Sequence, residues 1–549
     1  MASESTVPFK IQNDVLIGEE NSVDNKCINI GELILNKFKS KPDFIGQVDA
    51  KTGEENTFQQ MRERSVKCAL WLKKCGVECN DIVTMCTSNH LDTYIPYLAS
   101  LYIGAINLRH YLQSGPKVIF TDIDKAPLIL NVVNMMKIST KIVVLNKKSN
   151  EEEKFESLKS ILNSDFDEDE INEFTCAKLE NDRHIAVTLF SSGTIGDIRK
   201  HVAISHAFFT SPSNQQIPVM SSNDVGLWVE SLHWSISLLL TVRAILSYVK
   251  AVKINEFLNP SFEKCFCDII QKYKVTWVFL KIAMGNDFYK FNVFKKYDVS
   301  SLKQIIFGGR ISLINKYEQF VSSLPDASVI QAYCLPEMGV VAYQRETGKS
   351  GSSGYVSKTV HLMITHYVNG SILKSNKMGI ISCKSSYLMN VCFNSMPGEL
   401  VPVTDNSGWF NTDDVGYYDS DGDIYILDRK KYIIQYKKSY FLPAHIEQVL
   451  LKHPEVEDAG VIPIFNTFDC HHPLAFVVRK KGSKVTQEEL IQFVAENVID
   501  CMKLRAGVLF RQELKYLPNG WLDRRTLCKW AKDDLKDKIF FAKRTSKKA

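Results

Sequence analysis

Short apolar runs alternate with helical patterns along the first half of the chain, and this alternation limits the fold more than any other feature. The pair Thr57 and Gln60 forms a predicted capping box, after which apolar residues recur on one helix face up to Gly76. The runs Lys117–Phe120 and Lys141–Leu145 are typical of buried strands. Alternating strands and helices predict an α/β fold, in which helices cover both faces of a mainly parallel sheet.

A different pattern begins near residue 428. The turn Asp419–Asp423 lies between alternating residues that predict a hairpin. Beyond it, Pro443 begins a predicted helix that ends at Leu451, and the runs 460–464 and 474–478 predict strands. This second pattern indicates a compact α+β unit.

The change of pattern divides the chain into two predicted domains. We expect a large N-terminal domain over 1–427, a hinge over 428–431, and a small, mobile C-terminal domain over 432–549. The acidic segment 164–170 is predicted to be a solvated connection.

Composition excludes several classes of protein. The 549 residues are 45% apolar, enough for a large core, and the net charge of +5 forms no basic stripe, which argues against nucleic-acid binding. The most apolar long window, His233–Val252, contains Arg243 and Lys250, so no membrane span is predicted. The first twenty residues lack a signal-peptide pattern, so we expect an intracellular protein.

The cysteines predict neither disulfides nor a metal site. All 14 lie outside CxxC pairs, which favours reduced thiols in an intracellular chain. The cluster Cys470-His471-His472 lacks a second ligand pair nearby, so an exposed polar loop is the favoured interpretation.

The segment Ser191–His206 combines hydroxyls, two glycines and a basic pair directly after an apolar run. Small residues leave backbone N–H groups free to surround an anion, and Lys200 would add charge. No glycine precedes that lysine, so the segment is not the GxxxxGK[ST] phosphate loop. A phosphate loop and a plain strand-to-strand turn both remain open from this segment alone.

Four further motifs follow the segment in a fixed order. They are Phe307–Arg310, Gln331–Glu337, Gly408–Asp414 and Tyr425–Arg429. Together with Ser191–His206 they resemble the AMP-forming acyl-CoA synthetases, in the branch of 4-coumarate–CoA ligases and beetle luciferases. The resemblance extends from about Pro42 to Lys532.

The resemblance implies a two-step reaction. Such enzymes bind ATP and a carboxylic acid, here a fatty or aromatic acid, and form an acyl-adenylate with release of pyrophosphate. The small domain then rotates, and coenzyme A, or oxygen in the luciferases, attacks the adenylate. The implied cofactors are ATP, Mg²⁺ and coenzyme A, because cations and N–H donors must offset the repulsion between a carboxylate and a triphosphate.

The resemblance also assigns roles to individual residues. The implied catalytic residues are Lys200, His233 beside the acyl pocket, and Glu337, which would hold Mg²⁺ together with Thr194. The implied nucleotide-binding residues are Ser191, Ser192, Gly193, Thr194, Gly308, Gly309, Gln331, Tyr333, Asp414 and Arg429. Tyr333 would lie against adenine, and Asp414 and Arg429 would bind the ribose. Taken singly, Glu337, Tyr333 and Asp414 are better explained as a solvated helix-start residue, a core residue and a turn residue. Taken together, the shared order of motifs favours the family roles.

The chain departs from the family pattern at chemically important positions. Trp521 replaces the lysine that reaches the reacting groups, and an indole carries one donor and no charge. Loss of such a donor typically slows a reaction by ~10²–10³. Lys438 replaces a glycine beside the coenzyme A channel, and Pro336 replaces a threonine near the α-phosphate. A helix-sized piece is also missing between Leu108 and Arg109.

Two functions therefore follow from the sequence. In the first, the chain is an acid–CoA ligase in which another cation, such as Lys515 or Arg524, replaces the lysine. In the second, it is a catalytically weak or silent relative that binds a nucleotide or acyl ligand as a sensor or partner. The resemblance implies a peroxisomal location, whereas the ending Ser546–Ala549 departs from Ser-Lys-Leu, which leaves a cytoplasmic location open as the alternative; no pattern indicates the oligomeric state.

Overall fold

The computed structural model describes residues 9–20, 28–109, 115–145, 155–181, 183–195, 198–254, 262–281, 294–309, 314–324, 326–346, 348–388, 391–393, 400–517 and 521–534. Its strands are β1 (Phe9–Gln12), β2 (Val15–Gly18), β3 (Ile45–Asp49), β4 (Glu55–Thr57), β5 (Ile82–Cys86), β6 (Ile106–Arg109), β7 (Val118–Thr121), β8 (Lys141–Val144), β9 (Glu156–Ser157), β10 (Ile185–Ile195), β11 (Ile198–Ser205), β12 (Val225–Trp228), β13 (Lys250–Lys253), β14 (Trp277–Lys281), β15 (Gln304–Gly308), β16 (Ser328–Leu335), β17 (Gly339–Tyr343), β18 (Tyr355–Val356), β19 (His361–Thr365), β20 (Gly379–Lys384), β21 (Val391–Phe393), β22 (Leu400–Pro402), β23 (Phe410–Tyr418), β24 (Ile424–Arg429), β25 (Ile434–Tyr436), β26 (Ser439–Phe441), β27 (Val456–Asn466), β28 (Cys470–Arg479) and β29 (Gly507–Arg511). Its α-helices are α1 (Ile30–Ser40), α2 (Phe58–Lys74), α3 (Tyr94–Ile103), α4 (Ala126–Met136), α5 (Leu158–Leu162), α6 (Glu168–Asn172), α7 (Ser235–Ser247), α8 (Phe262–Tyr273), α9 (Ile314–Ser322), α10 (Pro443–Leu451), α11 (Gln487–Asn497) and α12 (Arg524–Asp534).

Two nine-stranded sheets form most of the N-terminal part. The first has the order β22-β21-β11-β10-β6-β5-β7-β8-β9, and the second has the order β18-β17-β16-β15-β14-β12-β13-β3-β4. The central strands of both sheets run parallel. The α/β fold predicted from the alternating pattern is therefore confirmed.

One apolar core joins the two sheets. It contains Val83 and Val118 from the first sheet, Trp277 and Ile306 from the second, and Tyr97 of α3. These side chains are almost fully buried, and burial of each is worth about 1.5–3 kcal/mol. The core holds the carboxyl ends of the parallel strands in fixed positions, which is where ligands bind in α/β sheets.

A third, antiparallel sheet has the order β1-β2-β19-β20-β23-β24. Its last two strands form the hairpin predicted around Asp419–Asp423, and Asp414 pairs with Arg429 across it. Strand β24 continues to Arg429, two residues beyond the predicted domain end at 427. The domain bounds at 427 and 431 themselves stay a prediction.

The small C-terminal domain is built on a five-stranded sheet of order β26-β25-β28-β27, with β29 beside β28. Helix α10 spans the predicted Pro443–Leu451 and packs on β27. A large α/β part followed by this α+β unit confirms the fold class.

Some local predictions are confirmed and others are wrong. The capping box of Thr57 and Gln60 is present. Cys470–His472 begin β28 instead of forming a loop, because their backbone pairs with the end of β27. The acidic segment is not only a connection, since Asp167 caps the short helix α6 there. In the part of the chain that the structure describes, no three or more His, Cys, Asp or Glu residues are grouped as metal ligands, and no helix is long and apolar enough to cross a membrane.

Candidate functional site

Three polar side chains meet where β16 crosses the β23–β24 hairpin. Asp414 is only 2% exposed, and its Oδ1 lies 2.9 Å from Nε of Arg429. The Tyr333 hydroxyl donates to Asp414 Oδ2 over 2.6 Å. Arg429 also donates from Nη1 to the Thr412 carbonyl oxygen at 3.1 Å. The structure therefore brings together three of the predicted nucleotide-binding residues.

Burial and charge act against each other in this group. Burial raises the pKa of Asp414, and the nearby Arg429 offsets this only in part. Burial is the largest single effect and lowers the pKa of Arg429, but Asp414 and the other acidic neighbours together outweigh it and the net pKa is raised. Burial also raises the pKa of Tyr333, so the phenol stays neutral and donates its proton to Asp414.

Two buried oxygen atoms at the site have unused acceptor capacity. Among the described residues, no donor makes an aligned hydrogen bond to Asp414 Oδ1, although Arg429 lies beside it. Gln331 donates from Nε2 to the Gly309 carbonyl oxygen at 3.0 Å, while its Oε1 has no described partner. Unused acceptor capacity on a buried oxygen is costly, so this arrangement suits a ligand that brings hydroxyl or amino donors.

The end of β15 lies close to aromatic side chains. A Cβ at Gly308 would come within 2.8 Å of the Phe279 ring and 3.5 Å of Trp234. Gly309 has a φ of 118°, which favours glycine strongly. Glycine therefore suits both positions, because a side chain would clash with the Phe279 ring at 308 and would strain the backbone at 309.

Glu337 and Pro336 lie in the turn between β16 and β17. Glu337 is 7% exposed. Its charge helps to raise the pKa of Arg429, although Asp414 and Tyr333 raise that pKa more. The predicted Mg²⁺ ligand is therefore near the Asp414–Arg429 pair, and it is not the solvated residue of the alternative interpretation.

His233 lies between β12 and α7, and its Nε2 is 2.7 Å from the carbonyl oxygen of Thr87, the residue that follows β5. The ring borders a small, mostly apolar cavity. Its other lining residues include Met85, Tyr97, Leu108, Thr188 and Leu232. The cavity places His233 beside apolar walls, as an acyl-pocket residue requires.

The predicted phosphate segment is a hairpin in its described part. Ser191–Ile195 continue β10, Ile198–Lys200 begin β11, and pairing is irregular between Phe190 and Thr194. The expectation of a loop directly after Phe190 is therefore wrong for the backbone, because the strand continues through Ile195. The side chains of Ser191, Ser192, Thr194 and Lys200 lie outside the described residues, as do residues 196–197.

Trp521 of the C-terminal domain packs against an apolar cluster of the N-terminal domain. It is half-buried and contacts an apolar cluster that includes Tyr333, Leu335, Met338 and Phe410. The position that the family pattern gives to a lysine thus holds an indole against the cluster that contains Tyr333.

The two proposed substitute cations have other partners. Arg524 is 2% exposed and donates to Glu447, to Asp428 Oδ2 at 2.8 Å and to the Val461 carbonyl oxygen at 2.7 Å. Lys515 pairs with Glu513 at the surface. Arg524 is therefore a buried structural residue, and the suggestion that it replaces the family lysine does not fit its position.

The Asp428–Arg524–Glu447 ion cluster is the main feature that sequence reasoning missed. It joins the end of β24 to the C-terminal domain, with the Asp428 side chain fully buried. Glu447 and Asp428 lie 77 and 96 residues before Arg524 in the sequence, so no local spacing predicts the cluster. The sequence signals nearest to it are the charged run of the predicted hinge, 428–431, and the pair Arg524-Arg525.

The chain matches AMP-binding enzymes over residues 35–391 and their C-terminal domain over residues 445–520. It belongs to the AMP-binding enzyme family. It is 27% identical over 520 residues to luciferin 4-monooxygenase of Photinus pyralis, covering 90% of this chain and 92% of the relative. It is 26% identical over 529 residues to a 4-coumarate–CoA ligase of Humulus lupulus, covering 90% and 91%.

Solved structures agree with this membership of the family. The luciferase-like enzyme of the nonluminescent mealworm Zophobas morio is 26% identical, with a TM-score of 0.67 over 76% of this chain and 98% of that one. ATP-bound MatB of Rhodopseudomonas palustris shares the fold at 19% identity, with a TM-score of 0.78 over 92% and 99%. The family and these relatives support an adenylate-forming, acyl-CoA ligase-like activity that uses ATP and a small-molecule acid.

Proposed function

We propose that the chain binds ATP at the Asp414–Arg429–Tyr333 group and activates a fatty or aromatic acid for transfer to coenzyme A. The observation that carries this proposal is the buried Asp414 Oδ1, which has unused acceptor capacity beside Arg429. A ribose hydroxyl is a donor of the required kind. Gln331 Oε1 offers a second buried acceptor for an amino group such as that of adenine.

The proposed reaction has two steps. A carboxylate oxygen of the acid attacks the α-phosphorus of ATP, the bond to the pyrophosphate oxygen breaks, and an acyl-adenylate forms. The thiol sulfur of coenzyme A then attacks the acyl carbon and AMP leaves. Gly308 and His233 lie beside the aromatic and apolar walls that would receive the acid.

Glu337 is the proposed Mg²⁺ ligand, with Thr194 as its partner. A buried carboxylate is a hard oxygen donor, as Mg²⁺ requires, and the ion would offset phosphate charge. The resemblance also assigns Ser191, Ser192, Gly193 and Lys200 to the phosphates, and this assignment stays a prediction. The same holds for Lys438 at the coenzyme A channel; it lies exposed between β25 and β26.

A second function is favoured by the contact of Trp521. Its indole packs on the apolar cluster that includes Tyr333, at a sequence position where the family pattern has a cation. A chain with this arrangement would still bind a nucleotide through Asp414 but would adenylate slowly, acting as a sensor or a partner. The two functions share nucleotide binding and differ in turnover.

Isothermal calorimetry with AMP and with Mg²⁺–ATP tests the shared part. We expect Asp414→Asn to lower the affinity for AMP and ATP at least about 100-fold. The substitution removes the charge of the group that would accept two hydrogen bonds from the ribose hydroxyls, and hydrogen bonds to a charged group are worth about 1.5–3 kcal/mol each. The matched control is Asp413→Asn, an exposed neighbour with a φ of 56° that asparagine also tolerates. Equal affinity in the unmodified protein and Asp414→Asn would reject the nucleotide site.

A further inference from the structure

Helix α4 carries no residue of the proposed site, and none of its 11 residues is charged. Its inner face covers the first sheet, where Ile129 and Val133 pack with Cys86 and Ile119. The outer face of a helix that covers a sheet normally carries charged and polar side chains. A helix without any charge is instead typical of one that is covered on both faces.

The outer face of α4 is nevertheless exposed in a single copy of the chain. Leu128 is 67% exposed and Met135 is 83% exposed, while Val132 between them is half-buried. These three residues follow one another at the spacing of one helix face, and we call them the α4 stripe. Single exposed apolar residues are normal on a protein surface, whereas a contiguous exposed stripe marks an interaction site.

A charge of opposite sign lies at each end of the α4 stripe. Asp124 lies just before the helix, and Lys137 is its C-cap. Both residues are exposed, and within the described part of the chain neither forms an ion pair. An acidic residue at the start and a basic residue at the end also suit the dipole of the helix itself.

This order of charges makes the α4 stripe complementary to itself. Residues 124 and 137, like residues 128 and 135, lie on opposite sides of the middle of the helix. In two antiparallel copies related by a two-fold axis, Leu128 therefore meets Met135 of the second copy, and Asp124 meets Lys137 of the second copy. The opposed helix dipoles attract each other as well.

A lipid surface fits the stripe less well. Helices that lie on a membrane carry lysine or arginine along their polar face, and α4 contains neither. The features of the stripe thus favour a second copy of the same chain.

We propose that two copies of the chain associate through antiparallel α4 helices. The α4 stripe forms the apolar centre of the contact, and an Asp124–Lys137 pair closes each end. One helix face buries less than the ~800 Å² per partner of a standard interface, so the dimer is weak and reversible. The proposed nucleotide site takes no part in it, so the dimer forms whether or not the chain adenylates an acid.

Sedimentation equilibrium of the full chain, at about 1–200 μM, measures the dissociation constant of the dimer. We expect Met135→Lys to raise this constant at least about 100-fold, because the two-fold axis places two charges in the apolar centre. The matched control is Phe468→Lys, which changes a residue that is 91% exposed in the C-terminal domain. This control should leave the dissociation constant unchanged.

Charge exchange tests the antiparallel arrangement. Asp124→Lys alone, or Lys137→Asp alone, should raise the dissociation constant about tenfold, because each turns two attractive pairs into two repulsive ones. The double variant restores opposite charges at both ends. Its dissociation constant should return to within about threefold of that of the unmodified protein.

A monomer at every concentration would overturn the proposal, as would a dimer that persists in Met135→Lys. A double variant that associates as weakly as the single ones would overturn the antiparallel contact. Hydroxyl-radical footprinting of the unmodified protein provides a readout that needs no variant. Oxidation of Met135 should fall as the protein concentration rises through the dissociation constant, and unchanged oxidation would contradict the contact.

Discussion

The polar groups around Asp414 are hydrogen-bonded or ion-paired to one another inside the fold. The loop that carries Trp521 differs, because it presents an aromatic ring where the family pattern has a lysine. Asp414, Arg429 and Tyr333 lie on strands of two sheets, and each contacts at least one of the others. Trp521 lies on a connection of the C-terminal domain and contacts the N-terminal domain through apolar packing.

This difference shows which part of the site the fold itself maintains. Removing Asp414 would leave the partly buried Arg429 without its counter-charge, so folding and the proposed nucleotide binding would depend on the same residue. Trp521 replaces a charge with an apolar surface that the fold can bury. A binding site can therefore persist while the reacting groups change.

The largest expected effect comes from breaking the ion cluster that joins the two regions. Arg524→Met leaves Asp428 and Glu447 buried without their counter-charge, which should lower the free energy of unfolding by about 3–5 kcal/mol. Chemical denaturation measures this change, and the exposed neighbour in Arg525→Met is the control. A loss equal to that of the control would show that the cluster does not hold the domains.

A smaller effect is expected from Tyr333→Phe. The substitution removes the donor to Asp414 Oδ2 and should cost about 1.5–3 kcal/mol, as hydrogen bonds to charged groups do. Tyr97→Phe is the matched control, since the Tyr97 hydroxyl is buried with no described partner and its loss should cost nothing. Equal unfolding free energies for the two variants would contradict the role given to Tyr333.

The smallest stability effect is expected at Trp521. The half-buried indole packs on the apolar cluster, and loss of this packing in Trp521→Ala should cost about 1–2 kcal/mol, and in Trp521→Phe less. Denaturant unfolding followed by circular dichroism measures both. Should Trp521→Ala destabilise as much as Arg524→Met, the loop would be part of the core.

The sequence predicts the fold well where local signals and long-range packing agree. The capping box at Thr57, the helix from Pro443 and the hairpin around Asp419–Asp423 are all present. Cys470–His472 are predicted to form an exposed loop because no second ligand pair lies nearby to make them a metal site. Their backbone pairs with β27 all the same, since register across a hairpin depends on the partner strand.

The candidate site was only partly readable from the sequence. The order of motifs places Tyr333, Asp414 and Arg429 in one family pattern, and the structure brings these side chains together. No sequence signal shows that Tyr333 donates to Asp414 or that Arg524 is buried, because both contacts join segments more than 75 residues apart. Long-range ion pairs depend on how the domains pack.

Acid-dependent pyrophosphate release by the unmodified protein and by Trp521→Lys tests the central claim most directly. The assay uses Mg²⁺–ATP and a panel of fatty and aromatic acids, with Trp521→Phe as the control for loss of the indole. The account predicts slow release by the unmodified protein and by Trp521→Phe, and a rise of ~10²–10³ in Trp521→Lys, because a cation again faces the developing charge. Fast release by the unmodified protein, or no rise in Trp521→Lys, would contradict the claim that Trp521 limits adenylation at an intact nucleotide site.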